Sequence, residues 1–276
     1  MPAPQVTTYE VQPHLGRHQV LDPRSLAHRR LYDGHPLHRA AFEPRIPVLD
    51  QRNLIAQGIH TTTAYGLETD LDALASCTGN AATALLSTLL TPERAAAAGL
   101  CLTDPAAAEH YAIGLYADAT ARDRWHDYTW PAQDVGSSGL GVAKALHDRG
   151  LITNYRHATT AEELCAALQT GPVLMGMPWH TAFTTPGPAG FIDADTAWAA
   201  SPLEGGHEVC ITALEHVAHT PTGALNPART VLRFVNSWGS SWGEYGSGRM
   251  LLSTYLQLRP QIDVVQPLAI RDLDRI

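Results

Sequence analysis

Apolar residues recur at helical spacing in the first half of the chain, most clearly from residue 77 to residue 90. Starting at Cys77, apolar side chains return every four residues as far as Leu89, which predicts one buried face of a helix. Ser76 is the expected N-cap, and Thr91-Pro92 is expected to end the helix because proline cannot continue it. Similar patterns predict further helices over 53–58, over 105–124, from the turn 136–139 through 147, and, behind a capping box, over 160–171.

Strand-like apolar runs gather in the second half of the chain. They cover 172–179, 208–217, 229–236 and 246–252, and a long loop rich in proline, glycine and threonine fills 180–206. The sequence therefore predicts an α+β protein with a helical lobe over 46–155, a β-rich lobe over 156–276 and a cleft between them. Residues 1–45 contain several prolines and no sustained periodicity, so we expect an extended N-terminal arm lying over the body. The alternative for this arm is an inhibitory pro-segment that fills the cleft.

Composition and charge exclude several classes of function. A net charge of −8 argues against nucleic-acid binding, which requires clustered basic side chains, and no run approaches the length of a membrane span. The first residues show no basic region followed by an apolar run, and four cysteines in 276 residues are few, so we expect a reduced, cytoplasmic protein. The chain has 14 histidines, but those at 14, 18, 28, 35 and 38 have no cysteine or carboxylate at ligand spacing. His207 and Glu208 would point to opposite faces of a strand, so no metal is expected, and the expected chemistry requires no organic cofactor.

Cys77, His207 and Asn236 are the candidate catalytic residues. A cysteine in the first turn of a helix is near the positive end of the helix dipole, which favours the thiolate over the thiol. His207 follows 130 residues later, between a glycine turn and an apolar strand, and Asn236 follows after a further 29. Such a set suits nucleophilic catalysis, because an imidazole can take the thiol proton and return it to the leaving amine, while an amide orients the ring.

Two segments carry a resemblance to a known family. GGHEV at 205–209 and NSWGSSWGEYGSGR at 236–249 resemble the histidine and asparagine blocks of papain-like cysteine peptidases, and the likeness extends over roughly residues 46 to 258. The cysteine block, LASCT, departs from the usual motif of that family and resembles its bacterial and phage branch. The resemblance implies a two-lobed papain-like fold with an antiparallel, barrel-like β lobe. It also implies that a tryptophan, here Trp238, shields the histidine–asparagine hydrogen bond.

The resemblance further implies a glutamine that donates to the oxyanion hole, together with the backbone N–H of the cysteine. RIPVLDQ at 45–51 matches the family wording, but Gln51 lies 26 residues before Cys77 rather than close to it, and Leu71 has no side-chain donor. Either residues 52–72 form an inserted loop and Gln51 keeps its place, or the glutamine is lost. Gln57 is the next candidate. A donor of this kind contributes about 10²–10³ in rate.

The glycine-rich turn is a candidate substrate site. It comprises Gly136, Ser137, Ser138 and Gly139, and similar turns in papain-like enzymes pair with the substrate backbone as an added strand. The alternative is a plain helix N-cap.

We therefore expect a thiol-dependent hydrolase of peptide or amide bonds that forms an acyl-enzyme thioester. A catalytically inactive peptide-binding relative, or a biosynthetic acyl or peptidyl transferase using the same thioester, are the alternatives. The natural substrate and the oligomeric state stay open.

Overall fold

The computed structural model describes residues 15–18, 22–60, 71–123 and 129–269. Its helices are α1 Cys77–Leu89, α2 Pro92–Ala97, α3 Pro105–Arg122, α4 Gly139–Asp148, α5 Ala161–Ala167 and α6 Leu252–Leu258. Its strands are β1 Ala40–Ala41, β2 Ile152–Ala158, β3 Val173–His180, β4 Leu203–His216, β5 Val231–Val235, β6 Ser247–Leu251 and β7 Asp263–Ala269. Most of the first 21 residues, the 61–70 part of the predicted insertion and the end of the helix predicted to 124 lie outside the described residues.

The strands form one antiparallel sheet in the order β2-β7-β3-β4-β5-β6, with the short β1 paired to β4. The α+β class predicted from the sequence is confirmed. Within the described residues the edge strands β2 and β6 do not pair with each other, so the sheet is open and not a closed barrel. The sequence patterns did not predict β2 and β7, because β2 has no regular alternation of buried and exposed positions and β7 contains a proline.

The sheet separates two cores, and this brings the helices close to the central strands. Leu174 of β3, Cys210 of β4 and Val265 of β7 pack among the side chains of α1, α3 and α4. The opposite face of the sheet, with residues such as Met175 and Val209, packs into the core of the β-rich lobe. Helix α1 therefore lies directly against β4.

Helix α1 is fixed mainly by its packing on α3. A Cβ atom at Gly79 would lie 2.1 Å from the carbonyl oxygen of Ala112, so only glycine allows this close approach of the two helices. The prediction that Ser76 caps α1 is wrong, because its hydroxyl donates to Asn80 Oδ1 at 2.8 Å and makes no cap hydrogen bond. Pro92 lies beyond the end of α1 as predicted, and it also begins α2.

Two other helix predictions differ from the structure. Residues 53–58 form turns instead of a helix, and Gly58 has a φ of 79° that a turn requires. The helix predicted from the glycine-rich turn begins at Gly139, where the Ser138 hydroxyl accepts from the backbone N–H of Gly141. The capping box at Thr160 is confirmed, although the helix that it opens ends at Ala167.

No helix among the described residues has the length and apolar character that a membrane crossing requires.

The described part of the predicted arm contacts both lobes. The backbone N–H of Arg30 donates to the carbonyl of His157 in β2, and the Arg29 guanidinium pairs with Glu163 at 2.8 Å. Further back along the chain, residues 15–18 lie between the glycine-rich turn and the start of β4.

Candidate active site

His207 and Asn236 face each other from neighbouring strands at the centre of the sheet. His207 lies in β4 and Asn236 directly follows β5, and the Nε2 atom of His207 lies 2.7 Å from Asn236 Oδ1. The same Oδ1 accepts from the backbone N–H of Ser237 at 2.8 Å, which fixes the amide. Both side chains are almost completely buried. The amide therefore orients the imidazole through Nε2, and Nδ1 is the ring nitrogen left to exchange a proton with a nucleophile.

Two tryptophans enclose the imidazole of His207. The ring of Trp238 lies 4.9 Å from it, centroid to centroid, and the ring of Trp179 lies 4.8 Å from it at an interplanar angle of 75°. The two indoles also contact each other at 5.1 Å. This wall keeps water from the His207–Asn236 hydrogen bond, as the resemblance implies for Trp238. Trp179 was not among the predicted site residues, because a tryptophan at the end of the apolar run in β3 is typical of an ordinary core residue.

Cys77 begins α1 on the other side of this pair. Its thiol is fully buried and lies near the backbone N–H of Glu208, the residue after His207. Burial raises the pKa of the Cys77 thiol, and the nearby Glu208 carboxylate adds to this effect. Arg17 and the backbone N–H groups of Glu208 and Thr78 act in the opposite direction and are outweighed. In this state of the site the thiol is therefore favoured, contrary to the expectation from the helix N-terminus.

Gln51 contacts Leu74, three residues before Cys77, and Ser237, the residue after Asn236. The backbone carbonyl of Gln51 accepts from the N–H of Leu74, and its N–H donates to the carbonyl of Ser237. The residues that flank 52–72 therefore lie next to each other. The side-chain Nε2 donates to Leu74 at 2.8 Å, and Oε1 accepts from the Ser237 hydroxyl at 2.5 Å. One of the two amide hydrogens is thus engaged by Leu74. Gln57 instead donates to the carbonyl of Asp50 within the turn region.

Residues 15–18 occupy the edge at which the sequence predicts substrate pairing. Ser137 donates its N–H to the carbonyl of Gly16 at 2.7 Å and accepts from the N–H of His18 at 2.8 Å, in a parallel bridge. The N–H groups of Gly16 and Arg17 both donate to the carbonyl of Gly206, the residue before His207. This short segment of the chain therefore already lies against the wall of the cleft that carries His207.

The glycine-rich turn is held in place from behind. The Tyr116 hydroxyl accepts from the N–H of Gly136 at 3.0 Å and donates to Asp134 at 2.7 Å, and Asp134 also accepts from the N–H of Ala75, two residues before Cys77. The Tyr116–Asp134 pair therefore binds both the glycine-rich turn and the residues just before Cys77. Ser138 caps α4, as the helix N-cap alternative expects, whereas substrate pairing at this turn stays a prediction.

A buried acid supports the other side of α1. Glu109 of α3 accepts from the side-chain amide of Asn80 and is fully buried, and burial raises its pKa to about 7. Sequence patterns did not predict Glu109, because a single carboxylate inside an alanine-rich helix resembles a surface residue. Glu208 of β4 and Asp263 of β7 are also almost completely buried and were not predicted as site residues, because only the packing of the sheet shows their burial.

The two cores, the open antiparallel sheet and the cysteine helix against its central strand define a papain-like fold. The chain is similar to xylellain, a cysteine protease from Xylella fastidiosa, with 16% sequence identity and a TM-score of 0.61 over 94% of this chain and 97% of that one. It is also similar to the digestive procathepsin L 3 of Tenebrio molitor larval midgut, with 17% identity and a TM-score of 0.48 over 93% and 76% of the chains. A further similar structure is the Amb a 11 cysteine protease of ragweed pollen in its proform, with 13% identity and a TM-score of 0.48 over 86% and 67%.

Xylellain is a cysteine protease, and at 16% identity the likeness to it establishes the fold alone. No protein-family model and no curated protein matches the sequence. The papain-like resemblance predicted from the histidine and asparagine blocks is confirmed, whereas its assignment to a bacterial and phage branch stays a prediction. Among the described residues no group of three or more histidine, cysteine, aspartate or glutamate side chains is arranged to hold a metal ion.

Proposed function

We propose that this protein is a thiol-dependent peptidase with Cys77 as nucleophile, His207 as base and then acid, and Asn236 as the residue that orients His207. The observation that carries the proposal is the buried 2.7 Å contact between His207 Nε2 and Asn236 Oδ1, next to Trp238. Cys77 lies near the backbone N–H of Glu208, the residue after His207, and its helix packs against β4. Because the contact with Asn236 engages Nε2, the proton of the thiol passes to Nδ1.

In the first step the Cys77 sulfur attacks the carbonyl carbon of a peptide bond, and His207 takes the thiol proton and delivers it to the leaving amine. In the second step water attacks the thioester, with His207 as base, and releases the carboxylic acid. The oxyanion of each step accepts from the backbone N–H of Cys77 and from the second amide hydrogen of Gln51, since only one is used by Leu74. The position of Gln51 supports this role.

Residues 15–18 block the cleft in this structure. Their hydrogen bonds to Ser137 and Gly206 use backbone groups that an extended substrate would need. We therefore favour the pro-segment alternative for this part of the arm, and we propose that peptide hydrolysis requires its displacement. The absence of disulfides at all four cysteines supports a reducing, cytoplasmic setting.

The test uses the full chain with Gly16→Ala, which displaces the arm as argued in the Discussion, and adds Cys77→Ala. Hydrolysis of a fluorescent casein is expected to fall to below about 10⁻³ of the rate of the parent variant, because the nucleophile is lost. Cys101→Ala removes a thiol outside the site and serves as the matched control. Undiminished hydrolysis by the Cys77→Ala protein would reject the proposal.

A further inference from the structure

The side chain of Arg17, in the segment 15–18, lies inside the protein. Arg17 is only 5% exposed. A Cβ atom at Gly176 of β3 would lie 2.4 Å from Arg17 Nε and 3.0 Å from its Cδ, so the arginine fills space that any larger residue at position 176 would take. The backbone of the segment pairs with Ser137 on one side and Gly206 on the other. The side chain between these pairings is therefore directed into a pocket at the cleft.

The wall of this pocket is acidic. Glu208 is 1% exposed, and neither of its carboxylate oxygens has a hydrogen-bond partner among the described residues. A Cβ atom at Gly176 would lie 2.6 Å from Glu208 Oε2, and a Cβ atom at Gly139 would lie 3.0 Å from Glu208 Oε1 and 3.5 Å from Asp263 Oδ2. We call the space bounded by Gly139, Gly176, Glu208 and Asp263 the Glu208 pocket. The missing side chains of Gly139 and Gly176 leave this space open, and the buried acids Glu208 and Asp263 line it.

Among the described residues, Arg17 of the arm is the cation that favours the carboxylate form of Glu208. Burial raises the pKa of Glu208 well above its ordinary range and Asp263 adds to this, while Arg17 opposes it. Asp263 itself lies 3.0 Å from His157 Nδ1, so the charged neighbours of Glu208 are Arg17 on the arm and Asp263, with His157 behind it. A buried carboxylate without a partner is costly, and a guanidinium is the side chain best suited to compensate it.

We propose that the Glu208 pocket is the specificity pocket of this peptidase and selects a basic side chain of the substrate, with Arg17 as its occupant in the closed state. The inference rests on the proposed function. An extended peptide that replaces residues 15–18 at Ser137 and Gly206 presents a side chain to the same pocket. Arginine or lysine there restores the positive charge that departs with Arg17, whereas leucine leaves Glu208 buried and unpaired.

The first experiment measures specificity directly. The full-length Gly16→Ala protein is given a peptide library in which each position before the cleaved bond is fixed in turn as arginine, lysine or leucine. One position is expected to favour the basic residues by about 10–100-fold in kcat/KM, the effect of a hydrogen bond to a charged group. Glu208→Gln is expected to reduce this ratio towards one. The matched control is Glu215→Gln, the same substitution at the other end of β4, and it is expected to leave the ratio unchanged.

The second experiment does not depend on hydrolysis. The peptides acetyl-Leu-Gly-Arg-His-amide and acetyl-Leu-Gly-Leu-His-amide are compared for protection of Cys77 in the Gly16→Ala protein against iodoacetamide. The arginine peptide is expected to protect at concentrations about tenfold lower, and the difference is expected to vanish in Glu208→Gln.

Equal protection by both peptides, or an unchanged difference in Glu208→Gln, would overturn the assignment of the pocket. If the arginine peptide protects selectively but no peptide in the library is cleaved, the pocket stands and the proposed peptidase activity fails. If peptides are cleaved without any basic preference, the activity stands and the specificity assignment fails. The two proposals are therefore distinguishable.

Discussion

Gly16 is the position at which one added methyl group tests whether residues 15–18 block the cleft. A Cβ atom there would lie 1.9 Å from the carbonyl oxygen of Ala75 and 2.4 Å from its carbonyl carbon. Both are backbone atoms two residues before Cys77, so they cannot turn aside. The arm has to move by about 1.5 Å to reach an ordinary contact of about 3.5 Å. Gly16→Ala therefore disturbs the arm and leaves the catalytic residues as they are.

The magnitude follows from the hydrogen bonds that this shift breaks. Four backbone hydrogen bonds hold the segment, with lengths from 2.7 to 3.1 Å, and a displacement of this size takes them out of range. At about 0.5–1.5 kcal/mol each, they contribute about 2–6 kcal/mol to closure. Even about 2 kcal/mol changes the ratio of open to closed protein by about 30-fold, since about 1.4 kcal/mol corresponds to a factor of ten.

Alkylation with iodoacetamide followed by mass mapping measures this opening without a substrate. Cys101 provides an internal reference, because it is partly exposed and its pKa is lowered by the N–H and hydroxyl of Thr103. The rate at Cys77 relative to Cys101 is expected to rise by at least about 30-fold in Gly16→Ala, and casein hydrolysis is expected to rise with it. Leu31→Ala changes a side chain of the arm that is 69% exposed and is expected to alter neither rate.

A folded Gly16→Ala protein with the relative Cys77 rate of the unmodified chain would refute the reasoning. Circular dichroism establishes that the variant is folded. Equal increases in Gly16→Ala and Leu31→Ala would also contradict it, because the second change touches no part of the cleft.

Two further predictions concern the surroundings of α1. Gln51→Ala in the arm-displaced protein is expected to lower kcat by about 10²–10³ with little change in KM, since the amide acts on the oxyanion, and Gln57→Ala is the control; equal losses in both variants would contradict this. Glu109→Gln tests the buried acid, whose pKa rises from about 4.5 to about 7 on folding. Between these values the folded protein keeps a proton that the unfolded chain has released, so the free energy of unfolding falls as pH rises, by about 3 kcal/mol in all. Urea unfolding at pH 5 and pH 8 should show this fall in the parent and in the exposed control Glu162→Gln. In Glu109→Gln the fall should be smaller by about 3 kcal/mol, because Glu208, another buried acid with a raised pKa, still contributes. An equal fall in all three proteins would contradict the assignment to Glu109.

The sequence specified the parts of the molecule that depend on local patterns. Helix α1, the central strands and the positions of His207 and Asn236 follow from apolar periodicity and short motifs, which do not need long-range contacts to be recognised. The role of Gln51 in the site stays a prediction, which the hydrogen bond between its carbonyl and the N–H of Leu74 supports.

Other features depend on contacts between distant segments and could not be predicted from local patterns. The register of Gly16 against Ser137 joins positions about 120 residues apart, and no periodicity in a proline-rich arm encodes it. The Glu208 pocket needs Gly139, Gly176 and Asp263 from three separate elements. Read along β4, Glu208 is one acid beside the motif histidine, and only the packing of the sheet shows that it is buried.

The state of Cys77 links the arm, the pocket and the nucleophile. Burial is the largest influence that raises the pKa of its thiol, followed by the charge of Glu208, while Arg17 lowers it. Departure of the arm removes the charge of Arg17, which raises the pKa of the thiol, and it admits water to the cleft, which acts in the opposite direction. A basic substrate side chain in the Glu208 pocket replaces the charge of Arg17 and so lowers the pKa of the thiol again. A basic side chain at the position that Arg17 now occupies therefore favours the thiolate once a substrate has replaced the arm.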